Sequence, residues 1–533
     1  MDTSNKRLVL AYPPYSTATA PPLGLCALKG FLRQTLPEWS VKVLDLNLLA
    51  HQELFGELAG RLCAPGPNFI ERLLSEALLS RTAETFLGQH GQEFYDRPDR
   101  YFLGTRIWLE RVLPALANDV ALEKAYRHDA ELPECYGRYA QAVLNEQPGI
   151  IGLSICYTQQ LWPALCLAKA LKQRSSAPII AGGTYFNTGA DAFLRAHAGC
   201  IDYVVTGEGE WPLAKFLQEH ADLAQVPGLT YAQAGGLLQN PPMLEEDLDV
   251  LGTPDFSDLD LRAYYSPAPV VPVLTSRGCY WRRCAFCAHY KSAGQTYRRR
   301  SVAKVVEELA RHVQAGVTHF ALVDEMISPA HFAQLAQAII DAGLKIHYYA
   351  LAKPVKQFDA QLLALMGKSG CRFILWGVES GSQRLLDLMD KGTKVSEVEA
   401  VLETAAAEGV KNHLFVMFGF PTETRQEFQA TLDLLARHKQ AISMVHRGLF
   451  QLESGSPVFE HPEKFSITRC APTAVPLLYQ FECASGMNRQ EVRQAFAENI
   501  SFLRKFGSDF TEFGDFRFRD HALLIYSRAA QEQ

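Results

Sequence analysis

No apolar stretch of this chain approaches the roughly 20 residues that span a bilayer. The start, Met-Asp-Thr-Ser-Asn-Lys-Arg-Leu-Val-Leu10, also lacks the apolar core of a signal peptide. A cytoplasmic protein without a membrane partner is the expectation. Positive charge is not in excess: 52 Lys and Arg stand against 58 Asp and Glu, a net charge of -6. With no overall basic field, nucleic acid is a disfavoured partner. Internal repeats and low-complexity tracts are missing, which excludes a solenoid or a mainly disordered chain. Cysteine is not scarce, at 12 residues, but most of these are scattered among apolar neighbours and read as buried free thiols.

What is present is a chain of 533 residues, 48% hydrophobic and 21% charged, enough for two or three domains with proper cores. Three cysteines crowd together in Ser276-Arg-Gly-Cys-Tyr-Trp-Arg-Arg-Cys-Ala-Phe-Cys287, directly after the apolar Pro269-Val-Val-Pro-Val-Leu-Thr275. Cys279, Cys284 and Cys287 have ligand spacing for one metal centre, and no second closely spaced group follows. Iron-sulfur clusters are held by thiolates on short loops, and three ligands for four irons leave one iron open to a small molecule. Structural zinc is the rival, but a closed zinc site needs a fourth ligand, and the nearest candidate, His289, lies only two residues on.

From Ser301 to about Phe450 helical and strand patterns alternate. Ser301 caps an expected helix with Val302, Val305, Val306, Leu309 and Val313 on one face, and Gly316 closes it before the strand Val317–Val323. Strands are also expected at 345–350, 372–378, 411–418 and 442–450. With the strand before Cys279 these make six βα units, hence a parallel sheet with its functional residues at the strand carboxyl ends. The first 240 residues read as a doubly wound α/β domain with strands at 8–12, 41–44, 149–154, 177–183 and 202–207. Its ligand crevice would lie beyond the strand ends, at Gly182-Gly183 and Gly207-Glu-Gly-Glu210.

Residues 51–145 are too long for an ordinary connection and include the helical run Phe69–Leu79; capping a pocket and merely adding surface helices both remain open. The acidic stretch 241–265 reads as a linker. Residues 466–533, with a helix over 488–502 and an aromatic-rich tail from Phe506 to Tyr526, read as a small C-terminal domain. The division is therefore 1–240, the linker, 266–465 and 466–533.

The cysteine loop followed by six βα units resembles the radical S-adenosylmethionine (SAM) superfamily, with a partial TIM-like (β/α)6 barrel. The resemblance continues in Phe286 before the last cysteine, Asp324-Glu325 after the second strand, Gly377-Val-Glu-Ser-Gly-Ser382 with Asp390-Lys-Gly-Thr393 after the fourth, and Phe418-Gly-Phe-Pro-Thr-Glu-Thr424 after the fifth. It implies a 4Fe-4S cluster on Cys279, Cys284 and Cys287, and SAM contacts from Phe286, Asp324, Glu325, Glu379, Ser380, Gly419 and Pro421. One departure stands out: four residues, Tyr280 to Arg283, separate the first two cysteines, where the family has three.

The N-terminal half is similar to the cobalamin-binding domain of the cobalamin-dependent branch, in Tyr12-Pro-Pro14, Pro22-Leu-Gly-Leu25, Gly152-Leu-Ser154, Gly182-Gly183 and Val204–Glu210. That resemblance implies cobalamin contacts from Tyr12, Pro13, Ser154, Gly182, Gly183, Gly207 and Glu208. The Asp-x-His-x-x-Gly run of other cobalamin enzymes is missing, so the branch resemblance implies cobalt without a protein histidine below it. The function implied is a methyltransferase that cleaves SAM to a 5′-deoxyadenosyl radical and uses methylcobalamin to methylate an unactivated carbon of a natural product or peptide. A one-electron donor such as flavodoxin or ferredoxin is an implied partner. The alternatives are a radical SAM cyclase or rearrangement enzyme with cobalamin in a supporting role, and a non-catalytic cobalamin sensor.

Overall fold

The computed structural model describes residues 5–530, apart from 63–100, 102–103, 106–107, 117–118, 129–130, 188, 219–221, 234, 290–295, 474–477 and 507–515. The expected helical run Phe69–Leu79 lies outside the described residues. The chain divides into two compact units, one running to Pro267 and the other beginning at Ala268.

The first unit is built on a seven-stranded sheet in the order β2-β1-β3-β4-β5-β6-β7. β1 (Arg7–Tyr12), β2 (Ser40–Asp45), β3 (Ile150–Ser154), β4 (Ile179–Gly182) and β5 (Tyr203–Val205) run parallel. β1 and β3 are almost continuous apolar runs because helices cover both faces of a parallel sheet. The order reverses between β1 and β3, which opens the ligand crevice expected of a doubly wound sheet. An unexpected antiparallel pair, β6 (Leu229–Gln233) and β7 (Gly236–Gln239), extends the edge beyond β5.

Residues 241–265 belong to this unit and are packed onto it. Lys29 bonds Asp258 at 2.6 Å, Arg33 bonds Asp255 at 2.7 Å, and Tyr264 donates to Asp45 at 2.8 Å. Tyr265 joins Phe55 and Trp108 in a buried ring cluster. The acidic groups read as a linker surface are thus neutralised by cations far away in sequence.

The second unit holds a six-stranded sheet in the order β15-β14-β13-β12-β11-β8, every neighbouring pair parallel. Its strands are β8 (Val270–Val273), β11 (His319–Leu322), β12 (His347–Ala352), β13 (Cys371–Glu379), β14 (Lys411–Phe418) and β15 (Ile442–Leu449). β9 (Ser276–Arg277) and β10 (Arg298–Arg299) form a small antiparallel pair on either side of the cysteine loop. The first crossover helix, Val302–Gln314, begins where Ser301 accepts the Lys304 N–H, and buries Glu308 against Arg300 at 2.6 Å.

The C-terminal stretch belongs to the second unit. Strands β16 (Leu452–Glu453), β17 (Ile467–Pro472) and β18 (Leu478–Cys483) make a small antiparallel sheet within the second unit. The helix Arg489–Glu498, capped by Asn488 and Glu491, sets Val492 against Gly419. The last helix, Arg519–Ala529, lies against the large sheet itself, where Ala522, Leu523, Leu524 and Tyr526 share one core with Val270, Ala321, Tyr349, Phe373 and Leu375. The crossover helices cover the other face, with Asn412 bonded to Leu402 O and Phe358 against Trp376. A helix distant in sequence therefore fills the inner face of the open barrel, and the aromatic tail supplies core. Phe510 and Phe513 lie outside the described residues.

Candidate functional site

The cysteine loop leaves the carboxyl end of β8, and Asp324 fixes its root. That buried carboxylate accepts the Thr275 N–H at 3.1 Å, the Thr275 hydroxyl at 2.9 Å and the Ser276 hydroxyl at 2.6 Å. Burial raises its pKa, and these hydrogen bonds work against the rise. These bonds tie Asp324, an expected SAM contact, to the root of the cysteine loop. Glu325 follows it, half-buried. A backbone bridge then joins Cys279 to Met326.

Beyond Cys279 the loop crosses to the turn after β13. Ala285 N–H donates to Met389 O at 2.8 Å, Cys287 N–H to Cys284 O at 3.2 Å, and Phe286 packs on the core of Ala285, Leu385, Met389 and Phe420. Cys284 is buried, and burial pushes its thiol upward while Lys391 pulls it down. Lys391 acts as a cation toward both Cys284 and Cys287, although at Cys284 burial outweighs it and the thiol stays raised. Among the described residues no three His, Cys, Asp or Glu side chains converge as ligands of one ion would. A closed zinc site needs a fourth protein ligand, whereas three thiolates can hold a cluster that keeps one iron open. The donor set suits a cluster better than zinc.

Glu379 ends β13 with a left-handed backbone, φ 65°, where β13 and β14 shift register. Its carboxylate accepts from Lys391 Nζ at 2.7 Å, both side chains being almost wholly buried. Burial alone would lower the lysine pKa, but the Glu379 charge prevails and holds it above the ordinary value. Gly377 makes room: a Cβ there would meet Lys391 Nζ at 2.7 Å and Glu379 Oε1 at 2.9 Å. Ser380 is buried in the turn, its hydroxyl accepting the Ser382 N–H at 3.1 Å.

After β14, Gly419 and buried Pro421 form the expected turn, and the Gly419 N–H donates to the Glu423 carboxyl. Glu423 is buried, its other oxygen has no hydrogen-bond partner among the described residues, and burial pushes its pKa up to about 8. The buried Thr393 hydroxyl lacks a partner as well. Both orphaned groups lie on segments that resemble SAM-contacting ones, so a polar ligand fits there. Sequence reasoning did not single out Glu423, Lys391, Lys353 or Trp281. A strand-end carboxylate with a lysine in the next turn was the signal available for Lys391.

In the first unit, the residues read for cobalamin stand at the ends of neighbouring strands: Tyr12-Pro13 at the end of β1, Ser154 on β3, Gly182-Gly183 at β4 and Gly207-Glu208 after β5. Gln160, missed in the sequence, ties β1 to β3 by donating to Pro13 O at 2.8 Å while accepting the Cys156 and Tyr157 N–H groups. Tyr12 donates to Ser16 at 3.4 Å, and burial raises its pKa. A Cβ at Gly183, φ 111°, would run into the Ile155 carbonyl. Strand ends stripped to glycine leave backbone for a flat ligand to approach, and a corrin-sized group fits that chemistry.

A radical SAM superfamily model matches residues 273–435, and a B12-binding domain model matches residues 109–217. An uncharacterized methyltransferase of Pyrococcus horikoshii is 28% identical over 302 residues, 55% of this chain and 65% of its own length. The hopanoid C-3 methylase of Methylococcus capsulatus is 26% identical over 322 residues, 57% of this chain and 61% of its own. The chain thus spans less than two thirds of either relative. Among solved structures, the radical SAM methyltransferase TsrM from Kitasatospora setae, with cobalamin and a [4Fe-4S] cluster bound, superposes with a TM-score of 0.60 at 18% identity, over 99% of both chains. The chain thus carries a B12-binding domain ahead of a radical SAM domain, and these domains imply a 4Fe-4S cluster, SAM and cobalamin as cofactors.

Proposed function

We propose that this chain is a cobalamin-dependent radical SAM methyltransferase acting on an unactivated carbon of a natural product or peptide. The observation that carries the reading is the three-cysteine loop at the end of the first strand of a six-stranded parallel sheet, in a chain that also holds a B12-binding domain. Two relatives named as a methyltransferase and a methylase support methyl transfer. When bound, the cluster and SAM supply a carbon-centred radical, and cobalamin supplies a methyl carrier. Cys279, Cys284 and Cys287 hold the cluster, while Phe286, Glu325, Glu379, Gly419 and Pro421 surround SAM. Asp324 acts from behind by holding Thr275 and Ser276 in place. The helix Arg519–Ala529 fills the inner face of the sheet with apolar side chains and keeps water out of it. A flavodoxin or ferredoxin supplies the electron.

The test is anaerobic. Protein reconstituted with iron, sulfide and cobalamin is given SAM and a strong reductant, and 5′-deoxyadenosine and S-adenosylhomocysteine are quantified with and without cobalamin. Both products, the second only with cobalamin, are expected. Deoxyadenosine alone would replace methyl transfer with rearrangement chemistry.

A further inference from the structure

The extra residue between Cys279 and Cys284 has a structural use. Arg282 absorbs it by taking a left-handed backbone, φ 54°, and its neighbour Trp281 turns onto the Asp390–Gly392 turn. The indole N–H donates to Asp390 O at 2.6 Å, and Arg283 reaches the Asp390 carboxylate at 2.9 Å. The ring lies on Gly392, φ 62°, where any Cβ would overlap it. Over the ring sits Lys353 from the end of β12, its ammonium 3.2 Å from the ring centroid and 3.2 Å from Lys391 O, to which it donates. Lys353 is buried, and among the described residues no carboxylate forms an ion pair with it. Lys391 in turn holds Glu379 at 2.7 Å. The contacts run unbroken from the cysteine loop, through Trp281 and Lys353, to the strand end read as the SAM seat.

We propose that Trp281 and Lys353 are positioning residues that register the enlarged cysteine loop against the Glu379–Lys391 strand end, so that the cluster's open iron and the SAM seat face each other. The proposal rests on the reading of Cys279, Cys284 and Cys287 as cluster ligands. A buried ammonium without a carboxylate partner is costly, and a desolvated cation over an indole is among the contacts that offset such a cost. A tryptophan that only filled a surface gap would not need the glycine beneath it or the lysine above it.

Wild type, W281F, W281A, G392A, K353M and K353R are reconstituted anaerobically as full chains with iron and sulfide. Iron per chain is counted, and the SAM concentration that half-converts the electron paramagnetic resonance signal of the reduced cluster is determined. The cysteines are untouched, so iron content is expected to stay at the wild-type level. The half-conversion concentration is expected to rise about tenfold in W281A, G392A and K353M, the scale of one lost desolvated cation–π contact. W281F and K353R, which keep a ring or a cation, should lie between these and wild type. If W281A does not fold, W281F and K353M decide the matter. Full iron with a wild-type SAM response in W281A, G392A and K353M would overturn the proposal. Variants that lose iron altogether would assign Trp281 to loop folding alone and overturn it too. A wild-type chain that takes up no iron, or whose signal ignores SAM, would instead overturn the cluster reading, and this proposal with it.

Discussion

Leu523 is wholly buried on the last helix, among Val270, Ala321, Tyr349, Phe373 and Leu375. Leu523→Ala removes three buried carbons, about 2.4 kcal/mol of transfer free energy at about 0.8 kcal/mol each. The neighbours belong to a hydrogen-bonded sheet and cannot close the gap, so a cavity cost adds to this and the total is about 3–4 kcal/mol. The assay is amide hydrogen exchange by mass spectrometry on peptides covering β12 and β13, because a chain of two units does not give a single two-state transition. At about 1.4 kcal/mol per tenfold, protection of those strands should fall by two to three orders of magnitude. A fall of less than about fivefold, or one confined to the last helix, would refute the placement of that helix in the barrel core.

Tyr526 donates or accepts at 2.9 Å with His413 Nε2, and His413 Nδ1 has no partner among the described residues; Tyr526→Phe should therefore destabilise the second unit by about 1–3 kcal/mol in the same exchange assay. Glu423, with its pKa raised by burial to about 8, binds a proton in the folded state that the unfolded chain releases above its ordinary carboxylate value. Stability should fall as pH rises from about 4.5 to 8, and Glu423→Gln should flatten that slope when the exchange protection of the second unit, corrected for intrinsic rate, is compared across the range. Glu379→Gln leaves the Lys391 ammonium buried without its carboxylate, a loss of about 3–5 kcal/mol. The double variant with Lys391→Met should be less destabilised than Glu379→Gln alone, as the same exchange assay on both would show.

Much of this molecule is legible along the chain because its signals are local. The six βα units show as alternating periods, with Ser301 and Gly316 marking the ends of a helix, and the cysteine loop announces itself by spacing. What escaped depends on distant partners. Asp255 and Asp258 look like solvent-exposed linker acids until Lys29, Arg33 and Lys42 are brought beside them. The aromatic tail reads as core without disclosing whose core, since its partners lie on β8, β11, β12 and β13. The hairpin β6–β7 is short and largely exposed on its outer strand, so its only local signal was Gly235-Gly236. Asp324 is another case: its place after a strand shows in the sequence, whereas the hydrogen bonds it accepts from Thr275 and Ser276 do not.

Metal and corrin counting on one preparation bears most directly on the central claim. Wild type and the Cys279→Ala/Cys284→Ala/Cys287→Ala variant are reconstituted anaerobically with iron, sulfide and cobalamin, desalted, and assayed for all three. The account predicts about four irons and four sulfides per wild-type chain, their loss from the variant, and cobalamin retained by both. Iron and sulfide that persist without the three cysteines, or a wild-type chain that holds neither cluster nor cobalamin, would contradict it.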